Sequence, residues 1–490
     1  MKLSKITAGI ECDVRGPADT EVKGIVYDSR LVKPGYMFVA LRGYHNDGRI
    51  FAEDAFKSGA SAVVTDEILQ AGPDKAVVFV KDTLAALAGL SANFYEHPDK
   101  GLHVVGVTGT NGKTTITYLL ESIYEAHNLP TGVMGTINYR FGKKAYPAPN
   151  TTPQSSDIYQ FFAEMLKGHG RVAVMEVSSH ALALGRVSGV EFDTAVFTNL
   201  TRDHLDFHRT MEEYFEAKTK LFTGLARGEK SYPKFAIINT DDPYGARLAA
   251  MSQPGTVITY GLSEKAAVSA QNIRNTSRST EFILSTPAGH QKVHFSQIGL
   301  HNVYNALAAA GAALASGISL EGVVSGLENA PCVPGRLEKI EAGQNFTVVV
   351  DYAHTDDALK NVLSALKELK PQRLITVFGC GGDRDRSKRP IMGEIASSLS
   401  DFVFVTSDNP RSENMERIAL DIEVGIRRQH RNNYQVVLDR EQAIAAALNM
   451  AQKGDIVLIA GKGHETYQII GDQRLHFNDA EIAGKYLQSS

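Results

Sequence analysis

The chain of 490 residues is short of three things, and each shortage closes a class of function. Cysteine occurs three times, at Cys12, Cys332 and Cys380, far apart and with no CxxC or CxxH spacing. Neither a disulfide framework nor a zinc site is indicated, so the thiols are expected to be small buried apolar groups in a reducing compartment. Basic charge is not in excess: the formal net charge is −4 with both signs interspersed. Such a chain offers no cationic stripe to a phosphate backbone, and no nucleic-acid partner is expected. Long apolar runs are missing too. Nothing approaches the ~20 residues that span a bilayer, and no early segment combines a basic start, an apolar centre and a small-residue cleavage site. Membrane insertion is not expected; a cytoplasmic location is. Solenoid repeats and low-complexity tracts are also absent from the sequence.

What is present is apolar material, 43% of the chain, in a length that suggests about three domains of ~100–200 residues each. The organising stretch is Val104 to Thr115, VVGVTGTNGKTT: an apolar run, a glycine-rich bend, then Lys113 and two threonines opening a helix. Backbone N–H groups in such a bend, with the helix dipole behind them, form a nest for phosphate oxygens. Lys113 adds a point charge for the outer phosphates, and Thr114 a hydroxyl to hold magnesium. The literal GxxxxGK[ST] spacing fails, because Val107 stands five places before Gly112. The strand-loop-helix context nevertheless favours a nucleoside triphosphate site over an ordinary turn.

Around this loop the chain alternates β-like and helical stretches. From Gly24 to about Glu96 short runs suggest a small α/β domain, with HPDKG (97 to 101) as its exit linker. From Leu102 to about Leu262 the runs HVVGVT, TGVMGTI, RVAVMEVS, DTAVFTNL, FAIINTDD and VITYGL lack polar alternation, as strands covered on both faces must. A mostly parallel sheet with helices on each side follows. The helix after the loop carries Ile116, Leu119, Leu120 and Ile123 on one stripe. Residues 263 to 297 suggest an antiparallel addition, 301 to 316 an alanine-rich helix, and PCVPGR (331 to 336) a second linker. Beyond it βα alternation resumes as a domain of doubly wound type. The expected fold is α/β in three domains, 1–99, 100–331 and 332–490, with a central P-loop-type sheet and a Rossmann-like end.

In open sheets ligands gather at the carboxyl ends of the strands. The polar ends EVSSH, TNLTRDH and NTDD should therefore point toward the phosphate loop. Magnesium on a triphosphate wants carboxylate help; Glu176, ending a buried run, is the natural candidate, with Asp203 and His204 able to form a second ion site. Lys218 and Lys220 share one helix, and local chemistry does not separate a functional lysine from a solvated one. DNPR (408 to 411) sets an acid, an amide and an arginine at a strand end, where Pro410 fixes the turn and Arg411 could grip a carboxylate bidentately.

These residues carry a resemblance. The motifs GTNGKTT (109 to 115), NTTP (150 to 153), MEVSSH (175 to 180), TNLTRDHLDFH (198 to 208), HNVYNALAA (301 to 309), GRLE (335 to 338), VDYAHTDDAL (350 to 359), GCGGDRDRSKRP (379 to 390), DNPR and GKGHE (461 to 465) run through the chain in order. The sequence resembles the Mur ligase family, ATP-dependent amide-forming enzymes of peptidoglycan precursor synthesis. The resemblance implies a UDP-sugar-peptide domain, a central ATPase domain and a Rossmann-like domain that brings the incoming amino acid.

By the same resemblance, Gly109, Thr110, Asn111, Gly112, Lys113, Thr114 and Thr115 hold the ATP phosphates, Asn302 meets the adenine, Asp351 the ribose, and Arg336 reaches the phosphates from across the domain gap. Thr114, Glu176, His204 and a carbamate on Lys218, formed with carbon dioxide, ligate Mg2+. Tyr27, Ser29, Tyr44, His45, Asn46, Asn150, Thr151, Thr152, Ser178 and Arg186 match the sugar-peptide positions. Arg384, Asp408, Asn409, Pro410, Arg411, Gly461 and Glu465 match the amino-acid positions, with Glu465 suited to a distal ammonium. The implied reaction adds meso-diaminopimelate to UDP-N-acetylmuramoyl-L-alanyl-D-glutamate through an acyl phosphate, in a monomer. L-lysine as the amino acid, or more remotely a P-loop kinase or NTPase, is the alternative.

Overall fold

A computed structural model describes residues 1–17, 19–42, 47–70, 72–226, 228, 230–251, 254–276 and 279–488. Three sheets follow one another along the chain. The first has five strands in the spatial order Cys12–Arg15, Ala76–Val80, Ala62–Thr65, Tyr36–Val39, Gly24–Val26, parallel except for the first. Alternate side chains go to opposite faces: Val39, Val64 and Val78 pack under helix Thr83–Phe94, whereas Phe38 and Val63 pack against Ala52 and Ala55 of helix Ala52–Lys57. Both faces are covered, which is why the four parallel strands are mostly apolar, whereas the antiparallel edge strand Cys12–Arg15 exposes Asp13 and Arg15.

The central sheet has eleven strands. Seven of them, Val268–Asn275, Thr256–Gly261, Phe235–Asn239, Thr194–Phe197, His103–Thr108, Val172–Glu176 and Thr131–Met134, lie side by side and parallel. Two further strands extend each edge antiparallel: Thr280–Thr286 and Gly289–Phe295 on one side, Asn138–Phe141 and Lys144–Pro147 on the other. The expected antiparallel addition is thus a continuation of the main sheet. Val105, Val107, Val174 and Val196 face helices Lys113–Glu125 and Leu300–Ala315, and the stripe Ile116, Leu119, Leu120, Ile123 is fully buried there. Val104, Ala173, Met175 and Phe197 face helices Ser155–Lys167 and Met211–Thr223. The phosphate-loop strand lies inside the sheet, between Thr194–Phe197 and Val172–Glu176, so its carboxyl end is flanked by theirs.

The third sheet has six strands in the order Glu338–Ile340, Thr347–Asp351, Ile456–Ala460, Leu374–Phe378, Phe402–Val405, Tyr434–Val436, antiparallel only at the first pair. Helices Asp356–Glu368, Lys388–Leu399 and Met415–Arg428 cover one face, Arg440–Met450 and Asp479–Gln488 the other. A hairpin, Tyr467–Ile470 with Gln473–His476, follows the last strand and was not foreseen.

Three local expectations change. Of the cysteines only Cys380 is buried; Cys12 is partly exposed on an edge strand and Cys332 is exposed in the second connector. HPDKG is a packed turn, because the Asp99 carboxylate is fully buried and accepts the Glu191 N–H at 3.0 Å, which fastens the turn to the central sheet. PCVPGR likewise buries Val333 and turns at Gly335, where a β-carbon would come within 2.1 Å of the His464 nitrogen.

Candidate active site

Gly109 and Gly112 shape the loop. Both adopt positive φ, +148° and +90°, and a β-carbon would sit 1.7 Å from Thr198 Oγ1 at the first and 2.4 Å from Asn305 Oδ1 at the second. Only glycine lets the loop backbone come this close to its neighbours. The segment after strand Thr194–Phe197 clamps it: Asn199 O accepts the Thr110 N–H at 2.9 Å, Asn199 Oδ1 accepts the Asn111 N–H at 2.9 Å, and Thr198 Oγ1 donates to Asn111 O at 2.7 Å. Thr110 Oγ1 accepts the Thr201 N–H at 3.0 Å. The Lys113 ammonium bonds the carbonyls of Gly109 and Thr110 at 3.0 and 2.8 Å. Burial lowers its pKa, and Glu176 and Asp203 oppose that only in part.

Thr114 and Thr115 are buried in the first helical turn. Thr114 Oγ1 donates to Glu176 Oε1 at 2.9 Å and accepts from Arg336 Nη2 at 3.2 Å, so loop, neighbouring strand and third-domain connector meet at one hydroxyl. Glu176 is 1% exposed, and also accepts from the Thr136 N–H at 2.8 Å and Thr136 Oγ1 at 3.0 Å. The Arg336 guanidinium lies over the Tyr352 ring at 4.6 Å, and that ring is 5.0 Å from His464. Arg336 Nε and His464 Nδ1 are buried and find no hydrogen-bond partner among the described residues. The unsatisfied Arg336 Nε–H, on the guanidinium that reaches Thr114 at the end of the phosphate loop, fits an anion.

Lys218 is 1% exposed and its ammonium donates to Gly109 O at 2.9 Å, the carbonyl that Lys113 also uses. Burial, then the nearby Lys113 charge, depress its pKa well below the usual lysine value, with Asp203 opposing. Lys220 is exposed. The helix period separates them after all: Tyr214, Lys218, Leu221 and Phe222 share the buried face, whereas Lys220 falls outside it. His204 lies in the left-handed region, φ +56°, at the start of the short helix Leu205–His208. Its ring stands 3.3 Å from Asp203 Oδ2 and edge-on to His180 and Tyr214 at 4.8 and 6.0 Å between centroids. Although 41% of its side chain is exposed, the protein walls and the cations beside it hold its pKa low. Burial pushes the Asp203 carboxyl up, but His204, His354 and Lys388 outweigh it. Thr114 and Glu176 are therefore in direct contact, Lys218 reaches the loop from the other side, and His204 adjoins through Tyr214. Among the described residues no cluster of three or more His, Cys, Asp and Glu has metal-holding geometry. The expected ligand set is of another make, a hydroxyl, a carboxylate, an imidazole and a modified lysine.

Asn302 is 4% exposed; its Nδ2 donates to Ile298 O and its Oδ1 accepts from Asn305 Nδ2, both at 2.9 Å. Asp351 is likewise committed: its two oxygens accept the N–H groups of Leu337 and Ala353 at 2.7 and 2.8 Å. It fixes the chain next to Arg336 in addition to any ligand it meets. NTDD does not reach the loop. Asn239 Nδ2 bonds Thr198 O at 2.8 Å and Asp242 accepts the Leu200 N–H at 3.1 Å, so this strand end braces the clamp.

Of the sugar-peptide positions, Tyr44, His45 and Asn46 lie outside the described residues. Tyr27 donates to Asp157 of helix Ser155–Lys167 at 2.9 Å, which ties the first domain to the central one. Ser29 opens a 3-10 turn nearby. Thr151 Oγ1 is 3.1 Å from Thr136 Oγ1, Thr152 Oγ1 donates to Glu176 O at 2.8 Å and accepts the Ser178 N–H at 3.0 Å, and Arg186 Nη1 reaches Thr152 O at 3.1 Å. Asn150 O accepts from the Tyr139 hydroxyl. Thr152 and Ser178 thus adjoin the backbone of Glu176, the residue whose carboxylate accepts from Thr114.

In the third domain Asp408, Asn409 and Glu465 converge with Lys462, which the sequence reading had not singled out. Asn409 Nδ2 and Lys462 Nζ both donate to Glu465 Oε2, at 2.9 and 3.0 Å, and Lys462 Nζ also meets Asn409 Oδ1 at 3.2 Å. Gly461, at φ +114°, passes so close to Asp408 that a β-carbon would lie 2.9 Å from Oδ2. Arg411 donates to Gly382 O at 2.6 Å, and Pro410 is packed against Gly382. Arg384 is exposed on the same rim. Thr136, Asn199, Lys462 and Asp357, whose Oδ2 accepts from Asn111 Nδ2 of the loop at 2.8 Å, were missed as individual residues. All but Thr136 lie inside motifs that had been quoted, so their signal was position at a strand end or helix start.

The fold and the site together define a three-sheet α/β enzyme built round a glycine-pinned phosphate loop. Three family models match in chain order: "Mur ligase family, catalytic domain" over residues 21–95, "Mur ligase middle domain" over 107–313 and "Mur ligase, glutamate ligase domain" over 335–463. The UDP-N-acetylmuramoyl-L-alanyl-D-glutamate--2,6-diaminopimelate ligase of Caldanaerobacter subterraneus subsp. tengcongensis is 44% identical over the whole of both chains. That of Geobacillus kaustophilus is 46% identical over 94% of each. A solved ligase of the same title superposes with a TM-score of 0.70 at 33% identity, covering 100% of this chain and 99% of the other. The D-alanyl-D-alanyl ligase of Acinetobacter baumannii shares the fold, with a TM-score of 0.68 at 22% identity over 94% and 95% of the two chains. The chain belongs to the Mur ligase family.

Proposed function

We propose that the protein is an ATP-dependent ligase that joins meso-diaminopimelate to the γ-carboxylate of D-glutamate in UDP-N-acetylmuramoyl-L-alanyl-D-glutamate, forming ADP and phosphate. The observation that carries this reading is the meeting of Thr114, Glu176 and Arg336, which joins the phosphate loop to the third domain bearing the amino-acid cluster. The names of the full-length relatives support the choice of substrates.

In this reading a γ-carboxylate oxygen of the glutamate attacks the terminal phosphorus of ATP and ADP leaves. The amine of the incoming amino acid then attacks the acyl carbon, and phosphate departs with the bonding pair. The loop N–H groups, Lys113 and Arg336 neutralise the phosphates, and positioning supplies much of the acceleration. Magnesium, held by Thr114, Glu176, His204 and carbamylated Lys218, would supply further charge neutralisation at the phosphate oxygens. Lys218 suits carbamylation because burial favours its neutral amine, the form that adds to carbon dioxide. Asn302 and Asp351 take the nucleoside end, Ser29 and the loop at 44–46 the uridine end of the sugar-peptide, and Arg186 its peptide carboxylates. Arg411 takes the far carboxylate of diaminopimelate, while Glu465 and Asp408 take its ammonium. The domains divide at 1–99, 100–331 and 332–490, and the enzyme acts as a cytoplasmic monomer. No helix among the described residues is long and apolar enough to cross a membrane.

ADP release measured with the UDP-muramoyl dipeptide and a panel of amino acids tests the proposal. Release that requires both dipeptide and diaminopimelate, with a tripeptide mass in the product, is expected. A stable phosphorylated product without amine would make the protein a kinase, and preferential use of L-lysine would reassign the amino acid.

A further inference from the structure

Lys462 is the cation at the centre of the third-domain cluster, and the reaction as described gives it no role. Its side chain is fully buried, and its ammonium sits 3.0 Å from Glu465 Oε2, 3.2 Å from Asn409 Oδ1 and 3.8 Å from Asp408 Oδ1. Tyr467 lies 5.5 Å below it. This is an expensive place for a flexible cation, and burial is tolerable only because two carboxylates answer it.

The partners are incompletely used. Asn409 and Lys462 both bind Glu465 through Oε2, and among the described residues no donor reaches its Oε1. Among the described residues the Asp408 carboxylate has the longer Lys462 contact as its one ion pair. Arg411 spends one nitrogen on Gly382 O and, among the described residues, pairs with no carboxylate. The Tyr467 hydroxyl feels Glu465, Arg474, Arg411 and Asp408 together, and the Arg474 guanidinium lies 3.8 Å over its ring. The cluster sets the Asp408 and Glu465 carboxylates against the Lys462 ammonium, with the half-buried Arg411 and the exposed Arg384 and Arg474 further out. It leaves one guanidinium and one carboxylate face open to a ligand.

We propose that Lys462 is a specificity-determining residue: by offsetting one of the two carboxylates it holds the amino-acid pocket one charge unit more positive than Asp408 and Glu465 would otherwise leave it. The pocket then favours an amino acid whose far end is a zwitterion over one whose far end is an ammonium alone. A zwitterionic end satisfies the open guanidinium and the open carboxylate at once. A bare ammonium leaves the half-buried Arg411 facing it without an anion, a like-charge penalty that works against the wrong substrate. Without Lys462 the pocket is one charge unit more negative, and a bare ammonium can take the place of the missing cation. The proposal rests on the ligase reading above and extends it to a residue that need not touch the substrate.

The test compares kcat/KM for meso-diaminopimelate and L-lysine, by ADP release with saturating ATP and dipeptide, in the wild type, Lys462→Met, Lys462→Gln and Lys462→Arg. The ratio of the two constants is expected to fall roughly tenfold or more in the Met and Gln variants, and to stay within about threefold of wild type in the Arg variant, which keeps the charge. Gln retains a donor toward Glu465, so it serves where Met fails to fold, as judged by its melting transition. A folded Met or Gln variant that loses activity toward both amino acids equally would overturn the proposal and leave Lys462 a packing residue. A wild-type enzyme that releases ADP without any amino acid would instead count against the ligase reading, before Lys462 is changed.

Discussion

The phosphate loop and the amino-acid cluster both sit at the carboxyl ends of parallel strands, yet they are made by opposite means. The loop is a backbone device: Gly109 and Gly112 remove side chains so that Thr198, Asn199 and Asn305 can close on main-chain atoms. The cluster is a side-chain device, in which Asp408, Asn409, Lys462 and Glu465 hold one another in place. A backbone nest suits a ligand common to every turnover and tolerates almost no substitution. A charge cluster can be retuned one residue at a time, as a site that chooses among similar amino acids requires.

That contrast sets the scale of the expected effects. Gly109→Ala puts a β-carbon on Thr198 Oγ1 at an unfavourable φ, so ligation should fall ~1000-fold or more, with nucleotide binding lost in calorimetry. Binding within threefold of wild type would show that the loop is less rigid than drawn. Lys218→Ala should cost a comparable or slightly smaller factor, on the order of 1000-fold, and a short added carboxylate should restore part of it by standing in for the carbamate oxygens. Full activity in the variant would leave the buried lysine without a chemical role. On the other side of the comparison, Arg411→Ala should raise the KM for diaminopimelate by about 50-fold, the worth of ~2–3 kcal/mol for a charge-assisted contact, and leave the KM for ATP unchanged. Equal changes in both would mean that the two regions are not separable.

The smallest effect is on stability. His354 and His464, packed beside Arg336 between the two regions, are held neutral at about 4 and about 3, by burial first and then by the cations Lys388 and Arg336 respectively. Between the unfolded value near 6.5 and these lower values the unfolded chain binds the more protons, so stability falls as pH drops through that window and is flat in these groups above it. Burial pushes the carboxyls of Asp351 and Asp357 up, and these act in the opposite sense at the lower end. A melting temperature that declines by several degrees from pH 7 to pH 5, with a shallower decline in His354→Asn, is the expected result. An unchanged slope in that variant would place the titrating groups elsewhere.

Lys218 is instructive about what could be read in advance. Local chemistry left Lys218 and Lys220 as equals and the family resemblance alone chose Lys218, although the spacing of Tyr214, Lys218, Leu221 and Phe222 already assigns one lysine to the apolar face. The information was local and went unused. Asp351 is a different case. Its assignment to a ligand came from motif position alone, and nothing near it in sequence announces that both its oxygens bind the backbone on either side, at Leu337 and Ala353. Cys332 failed for a third reason: residue type predicts average burial, and a proline-flanked connector is not an average place.

By itself the sequence determined where the phosphate loop lies, which runs are strands covered on both faces, and which stripe of the following helix packs inward. Those properties depend on period and on glycine, and both are written within a dozen residues. Tertiary structure alone decided that Arg336 meets Thr114 across 222 positions of chain, that NTDD braces the clamp from behind, and that Lys462 fills the space between two carboxylates. Such contacts depend on strand order and on how the sheets are set against one another, and no local pattern carries that information.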